Sequence, residues 1–324
     1  MPFLHHVTEG RGVPAKRLEE VAEHYELLGG KSPINDQARA LTLALRTELD
    51  REGVPLAIYW GNRNWHPFVT DIVRAMAQDG ITRALVITTS ATGGYSSCRQ
   101  YREDMARAQK AAGRNAPDLI KLRHYFDHPG FIEANADGVR AALTSLPPEL
   151  RDGARLVFTA HSIPVPMNET SGPTGGLYLA QQRETARLVA ETVRGAGAEF
   201  DLVWQSRSGP PQVPWLEPDI SDHLHALAAA GEPAVVVSPI GFTSDHMEVV
   251  WDLDHEAAAT AAMLGLPFAR AATAGTHPAF LRTLRELIQE EFWDEEPQQL
   301  GDLGICGRDC PATCCPPPAR RPAG

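Results

Sequence analysis

Lysine is scarce in this chain of 324 residues, standing only at Lys16, Lys31, Lys110 and Lys121, so nearly all of the positive charge is arginine. With 30 basic residues against 41 acidic ones the formal charge is −11, which argues against a nucleic-acid partner, since that needs a basic face. No run of about 18 apolar residues is present, so no segment has the length of a membrane-spanning helix. No charged, then apolar, then small-residue leader opens the chain, and a cytoplasmic location is expected. Neither G-x-G-x-x-G nor a P-loop occurs, which disfavours nicotinamide and nucleotide chemistry.

What is present is an alternation of short apolar runs and longer helical stretches. The predicted strands are PLAIYW (55–60), RALVIT (83–88), KLRHY (121–125), RLVFTA (155–160), EFDLVW (199–204), AVVVSP (234–239) and LPFARA (266–271). Helical patterns fall between them at 68–79, 101–111, 131–143, 176–195, 220–230 and 278–292. Such alternation predicts βαβ units, hence an α/β fold with parallel sheets. The length and the 43% hydrophobic content allow two cores. The pattern breaks at DHPGF (127–131), which predicts one unit over 1–130 joined by a returning helix at 273–295, a second over 131–272, and a Cys/Pro-rich tail over 296–324.

The segment GFTSDHMEVVWDLDHE (241–256) carries the strongest chemical signal. It follows a predicted buried strand, and in open α/β sheets ligands bind beyond the carboxyl ends of strands. Glu248, Asp252 and Glu256 recur every four residues, with Asp245 one turn earlier and His255 beside the last. An α-helix rotates such a series by about 40° per step, whereas a local π-type widening would line the acids up, so a π-bulge is expected. Like charges at this spacing oppose one another; a solvated helix face is the bland alternative. Met247, Val250, Trp251 and Leu253 leave no clean apolar stripe opposite the acids, which favours a metal- or proton-handling site. His161 stands at the tip of another predicted strand, where imidazoles commonly ligate or transfer protons.

Cys306, Cys310, Cys314 and Cys315 crowd into the tail, while Cys98 lies alone after the second strand. A disulfide framework is not expected in a cytosolic chain of this size. Soft ligands at this spacing suit a [2Fe–2S] cluster, with zinc as the runner-up and a tail of free thiols as the remaining alternative.

Taken in order, GGKSPIN (29–35), IYWGNRNWHP (58–67), TTSATGGYSSCRQYRED (88–104), FTAHSIP (158–164), WQSRSGPPQVPWLEPD (204–219) and SPIGFTSDHMEVVWDLDHE (238–256) resemble the ferrochelatase family, within it the actinobacterial coproporphyrin ferrochelatases. The resemblance implies two flavodoxin-like, doubly wound domains with a porphyrin cleft between them. It further implies insertion of Fe2+ into a tetrapyrrole in haem biosynthesis, with coproporphyrin III as substrate; protoporphyrin IX, another tetrapyrrole, and a catalytically dead haem- or iron-binding protein are the alternatives. By resemblance His161 and Glu248 match the iron-site pair, and Asp252, His255 and Glu256 form a relay for iron or protons. Ser32 and Tyr101 match propionate-contacting positions, with Arg11 and Tyr25 as helpers, and His24 stands where some relatives carry arginine. Relatives of this kind hold a [2Fe–2S] cluster on three tail thiols and one from mid-chain, which points to Cys306, Cys310, and Cys314 or Cys315, with Cys98. Haem-pathway enzymes that deliver porphyrin or accept product are the implied partners. Relatives open with an apolar strand ahead of the segment matched by PFLHHVTEGRGVP, so a longer product with Met1 as an internal methionine, heavier than 35.3 kDa, is expected.

Overall fold

The computed structural model describes residues 2–8, 15–27, 29–209, 212–308, 310–311 and 313–317. Among the described residues six strands form two parallel sheets. β1 (Arg83–Val86) pairs with β2 (Asp118–Lys121). β3 (Arg155–His161), β4 (Asp201–Gln205), β5 (Val235–Ser238) and β6 (Phe268–Arg270) make the second sheet, in the order β4-β3-β5-β6. Renumbered within its own unit that order is the flavodoxin-like one, in which the strand order reverses between β3 and β5. Every residue of β5 is buried, as are the five central residues of β3, because helices cover both faces of this sheet and leave no face for alternation.

One face of the second sheet packs Leu156, Phe158 and Val236 with Val139 and Val189 of the helices Pro129–Ser145 and Leu177–Arg194. The other packs Val157, Val235 and Val237 with Leu224, Val249 and Leu253. A third core gathers Leu45 and Leu49 of the helix Ile34–Arg51, Tyr125, Phe126 and Phe131, and Phe280, Leu284 and Leu287 of the helix Pro278–Trp293. The last helix therefore returns to pack against the first part of the chain.

Two predicted strands are corrected. PLAIYW forms no strand: among the described residues no ladder partner lines either of its edges, and a strand exists only through pairing. KLRHY starts too late, since the ladder covers Asp118–Lys121 and its last bond is Leu122 N–H to the Val86 carbonyl at 3.0 Å. Beyond that the backbone is captured elsewhere, His124 N–H by the Cys306 carbonyl at 2.9 Å and Tyr125 N–H by Ala91 at 3.1 Å.

Among the described residues no helix is long and apolar enough to cross a membrane.

Candidate active site

The parallel pairing of β3 with β5 delivers two strand ends side by side, Phe158 opposite Ser238. The chain leaving β5 then crosses the tip of β3, with Gly241 N–H bonded to the Thr159 carbonyl at 3.1 Å. Glycine is required there: a Cβ on Gly241 would lie 2.5 Å from the Ala160 Cβ. This crossing carries residues 241–248 over His161.

The expected widening is present. The helix begins as Met247–Val249 and continues as a π-helix over Val250–Ala257. It is pinned from outside by residues the motif itself does not reveal. Ser32 Oγ accepts Met247 N–H at 3.2 Å and Gln37 Oε1 accepts Asp245 N–H at 2.8 Å. Arg270, at the end of β6, bonds Asp245 at 3.1 and 3.2 Å and Asp254 at 2.5 and 3.1 Å. Asp245 is thus an anchor paired with arginine, and its place in the carboxylate ladder is corrected.

At the centre, His161 Nε2 faces Glu248 Oε2 at 3.8 Å. His161 Nδ1 lies 2.5 Å from the Ser162 carbonyl, which can only accept, so Nδ1 carries a hydrogen and Nε2 is the ring atom turned to the carboxylate. His246, which the sequence reading passed over, places Nδ1 3.9 Å from the same Glu248 oxygen. One carboxylate oxygen therefore stands between two imidazoles, and Glu248 is 55% exposed, open to an incoming ion. Burial lowers the His246 pKa, opposed by the charge of Glu248, so its ring favours the neutral, proton-accepting form.

Asp252 lies one step deeper, accepting from Ser206 Oγ and, at 3.2 Å, from Gln205 Nε2. Burial pushes its carboxyl up to about 6; the Ser206 hydrogen bond lowers it, and the charges of Glu248 and Glu256 push the same way as burial. The charges of Glu248 and Glu256 thus both reach Asp252. Glu256 is exposed and accepts Trp251 Nε1–H at 2.8 Å. His24 and His255 stack on the Trp251 ring at 3.7 and 5.2 Å between centroids, which ties the helix Ala15–Leu27 to the π-helix.

Tyr25 of that same helix is raised to about 12, by burial first and then by Glu248, so it offers a neutral hydroxyl near the carboxylate. Tyr101 lies under the Arg63 guanidinium, 4.0 Å from its ring centre. Arg63 itself is clamped by Asp104 at 2.5 Å and Gln100 at 3.1 Å, while its Nη2, buried, finds no hydrogen-bond partner among the described residues. Ser32 spends acceptor capacity on Met247 N–H, leaving its proton to donate. Arg11 lies outside the described residues.

The five cysteines, all free, converge although one comes from mid-chain. Cys98 is carried by a second π-turn, Tyr95–Arg99, and with Cys310, Cys314 and Cys315 lines a cavity of about 220 Å³ beside Arg99 and Arg102. Cys306 stands to one side, its Sγ 3.2 Å from His124 Nδ1 and 3.1 Å from Gln181 Nε2. Burial raises the Cys306 thiol to about 11, and burial with Cys315 raises Cys314 to about 12. Among the described residues no three His, Cys, Asp or Glu groups stand in ready-made metal-ligand geometry, at either site.

The ferrochelatase family model matches residues 1–292. The chain belongs to the ferrochelatase family. Its relatives include the coproporphyrin III ferrochelatase of Nocardia farcinica, 56% identical over all of this chain and 93% of that protein. The coproporphyrin III ferrochelatase of Streptomyces coelicolor is 52% identical over all of this chain and 90% of that one. Among solved structures, the sirohydrochlorin chelatase SirB of Bacillus subtilis subspecies spizizenii, in complex with cobalt, aligns with 78% of this chain and 88% of its own at 13% identity and a TM-score of 0.46. As a member of the ferrochelatase family the chain is a lyase that places metal in a porphyrin, with Fe2+ as its metal substrate.

Proposed function

We propose that this protein inserts Fe2+ into coproporphyrin III to give Fe-coproporphyrin III, and that His161 and Glu248 are its iron-site pair. The observation that carries the residue assignment is His161 Nε2 turned to Glu248 at 3.8 Å, its ring oriented by the Nδ1 bond to the Ser162 carbonyl. The substrate assignment rests on the coproporphyrin III relatives at 52–56% identity. Insertion releases two pyrrole protons for each ion taken up. The imidazoles of His161 and His246 can accept them at nitrogen, and the hard, exposed Glu248 carboxylate holds a hydrated ion loosely enough to pass it on. Asp252, with a carboxyl near 6, titrates close to neutrality and takes the next position, with His255 and Glu256 leading outward to solvent. Ser32, Tyr101 and Tyr25, with Arg11, would hold the propionates as hydrogen-bond donors.

The units 1–130 with 273–295, and 131–272, are the two walls of the cleft in this reading, with 296–324 as the tail. The packing of the helix Pro278–Trp293 on the helix Ile34–Arg51 supports that division. The tail thiols suit a [2Fe–2S] cluster, with zinc as runner-up. Soft donors meet around one cavity, and Gly172 N–H bonds Cys315 Sγ at 3.1 Å; burial raises the Cys98 thiol, opposed by the Lys121 and Arg102 charges, so a bound cation would have to draw its proton off. Cys98, Cys310, Cys314 and Cys315 would hold it from the cavity wall, with Cys306 competing for a position, and when bound it supplies a one-electron redox centre. Action in the cytoplasm beside other haem-pathway enzymes completes the proposal.

Anaerobic turnover tests the central assignment. Glu248→Gln should lower the insertion rate by at least about 10²-fold, the scale of a lost proton-transfer group, while porphyrin binding by fluorescence quenching persists. Insertion at the wild-type rate would remove Glu248 from the site. Equal kcat/KM with protoporphyrin IX would remove the preference for coproporphyrin III.

A further inference from the structure

Among the described residues, one helical segment touches both the thiol cluster and the backbone of His161. Gln181, in the helix Leu177–Arg194, is fully buried with both ends of its amide committed. Its Oε1 accepts Gly93 N–H at 2.6 Å; because a backbone N–H can only donate, the other end must be the NH2 group, and it donates to Cys306 Sγ at 3.1 Å. One turn earlier, Tyr178 Oη donates to the His161 carbonyl at 2.8 Å. Tyr178 N–H is itself held by Ser171 Oγ at 3.0 Å, and the adjoining Gly172 N–H donates to Cys315 Sγ. The segment 172–181 is thus fastened by a thiol at each end, and its middle holds the backbone of His161. Gly172 has no slack, at φ +75° and with Leu177 where a Cβ would stand.

We propose that this turn couples the thiol cluster to His161, with Tyr178 and Gln181 as positioning residues for iron insertion. The proposal rests on the reading of His161 as an iron-site residue. A change at Cys306 alters what Gln181 can bond, Gln181 is rigidly one turn from Tyr178, and Tyr178 sets where the His161 backbone lies. Partners of this kind, one step removed from a metal ligand, are worth 10–100-fold in affinity or activity when lost.

The test uses the full-length protein, purified anaerobically, as Tyr178→Phe, Cys306→Ala and the double variant, with His161→Gln as reference. Two quantities are read: kcat against porphyrin KM, and the ¹H–¹⁵N imidazole resonances of His161, assigned by their loss in His161→Gln. Each single variant should lower kcat about tenfold at unchanged KM and shift the His161 resonances. The double variant should lose no more than the larger single loss, because both act along one route. Multiplicative losses, near a hundredfold in the double variant, or His161 resonances unmoved by Cys306→Ala, would overturn the coupling. If Cys306→Ala fails to fold, Gln181→Glu keeps the acceptor for Gly93 and reverses the group facing Cys306, and should give the same shift and loss. Wild-type activity in His161→Gln would instead overturn the iron-site reading, while the resonance shifts in the other variants would still report the coupling.

Discussion

Replacing Asp252 with asparagine should make the protein more stable at alkaline pH and slower at its reaction. Burial holds the Asp252 carboxyl at about 6 against an ordinary 3.8, and the charges of Glu248 and Glu256 add to the rise. The folded state therefore binds this proton more tightly than the unfolded chain does. Its stabilising contribution is complete below the ordinary value and is lost as pH rises through about 6. At about 1.4 kcal/mol per pH unit, the ionised carboxylate costs about 3 kcal/mol at mildly alkaline pH. Asparagine is neutral throughout, and its oxygen can accept the same bonds from Ser206 and Gln205. Urea melts of both proteins should coincide near pH 4 and separate by about 2–3 kcal/mol near pH 8, the variant the more stable. In thermal melts the gap is on the order of 5–10 °C. A gap that does not change with pH would refute the electrostatic account of Asp252. An unchanged kcat would remove it from the proton route while leaving that account intact.

The parts of this fold that were legible are those set by short-range pattern. The valine run of β5 and the apolar run of β3 announced buried parallel strands, and His161 followed from its place at a strand tip. The four-residue recurrence of acids pointed to the π-helix, since a widened turn advances by more than four residues per turn, and the structure has that widening at Val250–Ala257. What was missed depends on partners distant in sequence. Asp245 looked like a rung of the ladder because nothing nearby reveals Arg270, 25 residues on. KLRHY has strand composition, yet its backbone beyond Lys121 turns to Ala91 and to the tail at Cys306. His246 was hidden by its position just before the helix, where its contact with Glu248 depends on the turn between them. The helix Ile34–Arg51 carries a readable signal in Leu41, Leu45 and Leu49 at four-residue spacing, without the strand tip or charged motif that marks the site.

Gly241→Ala should lose at least about 1–3 kcal/mol, since the new methyl meets Ala160 in a packed core. It should also lower kcat, because the displaced loop carries Glu248 relative to His161; a fully active, equally stable variant would contradict the crossing described here. A last prediction concerns how the tail is held. Arg123 and Glu290 form a buried two-point pair at 2.6 and 2.7 Å, and Arg123 also donates to the Gln298 carbonyl at 2.9 Å. Glu290→Gln leaves the arginine charge buried without its counter-charge, which should cost about 3–5 kcal/mol and expose the segment after residue 297 to limited proteolysis. Arg123→Met with Glu290→Leu removes both charges and should recover most of the stability, because desolvation offsets the attraction of a buried pair. The tail should nevertheless stay cleavable in that double variant, since the bond to Gln298 is gone. Protease resistance restored along with stability would mean that Arg123 serves the core alone, and that the tail is held by His124 N–H on the Cys306 carbonyl and by Arg102 and Lys121 donating to the Gly307 carbonyl at 2.7 and 3.4 Å.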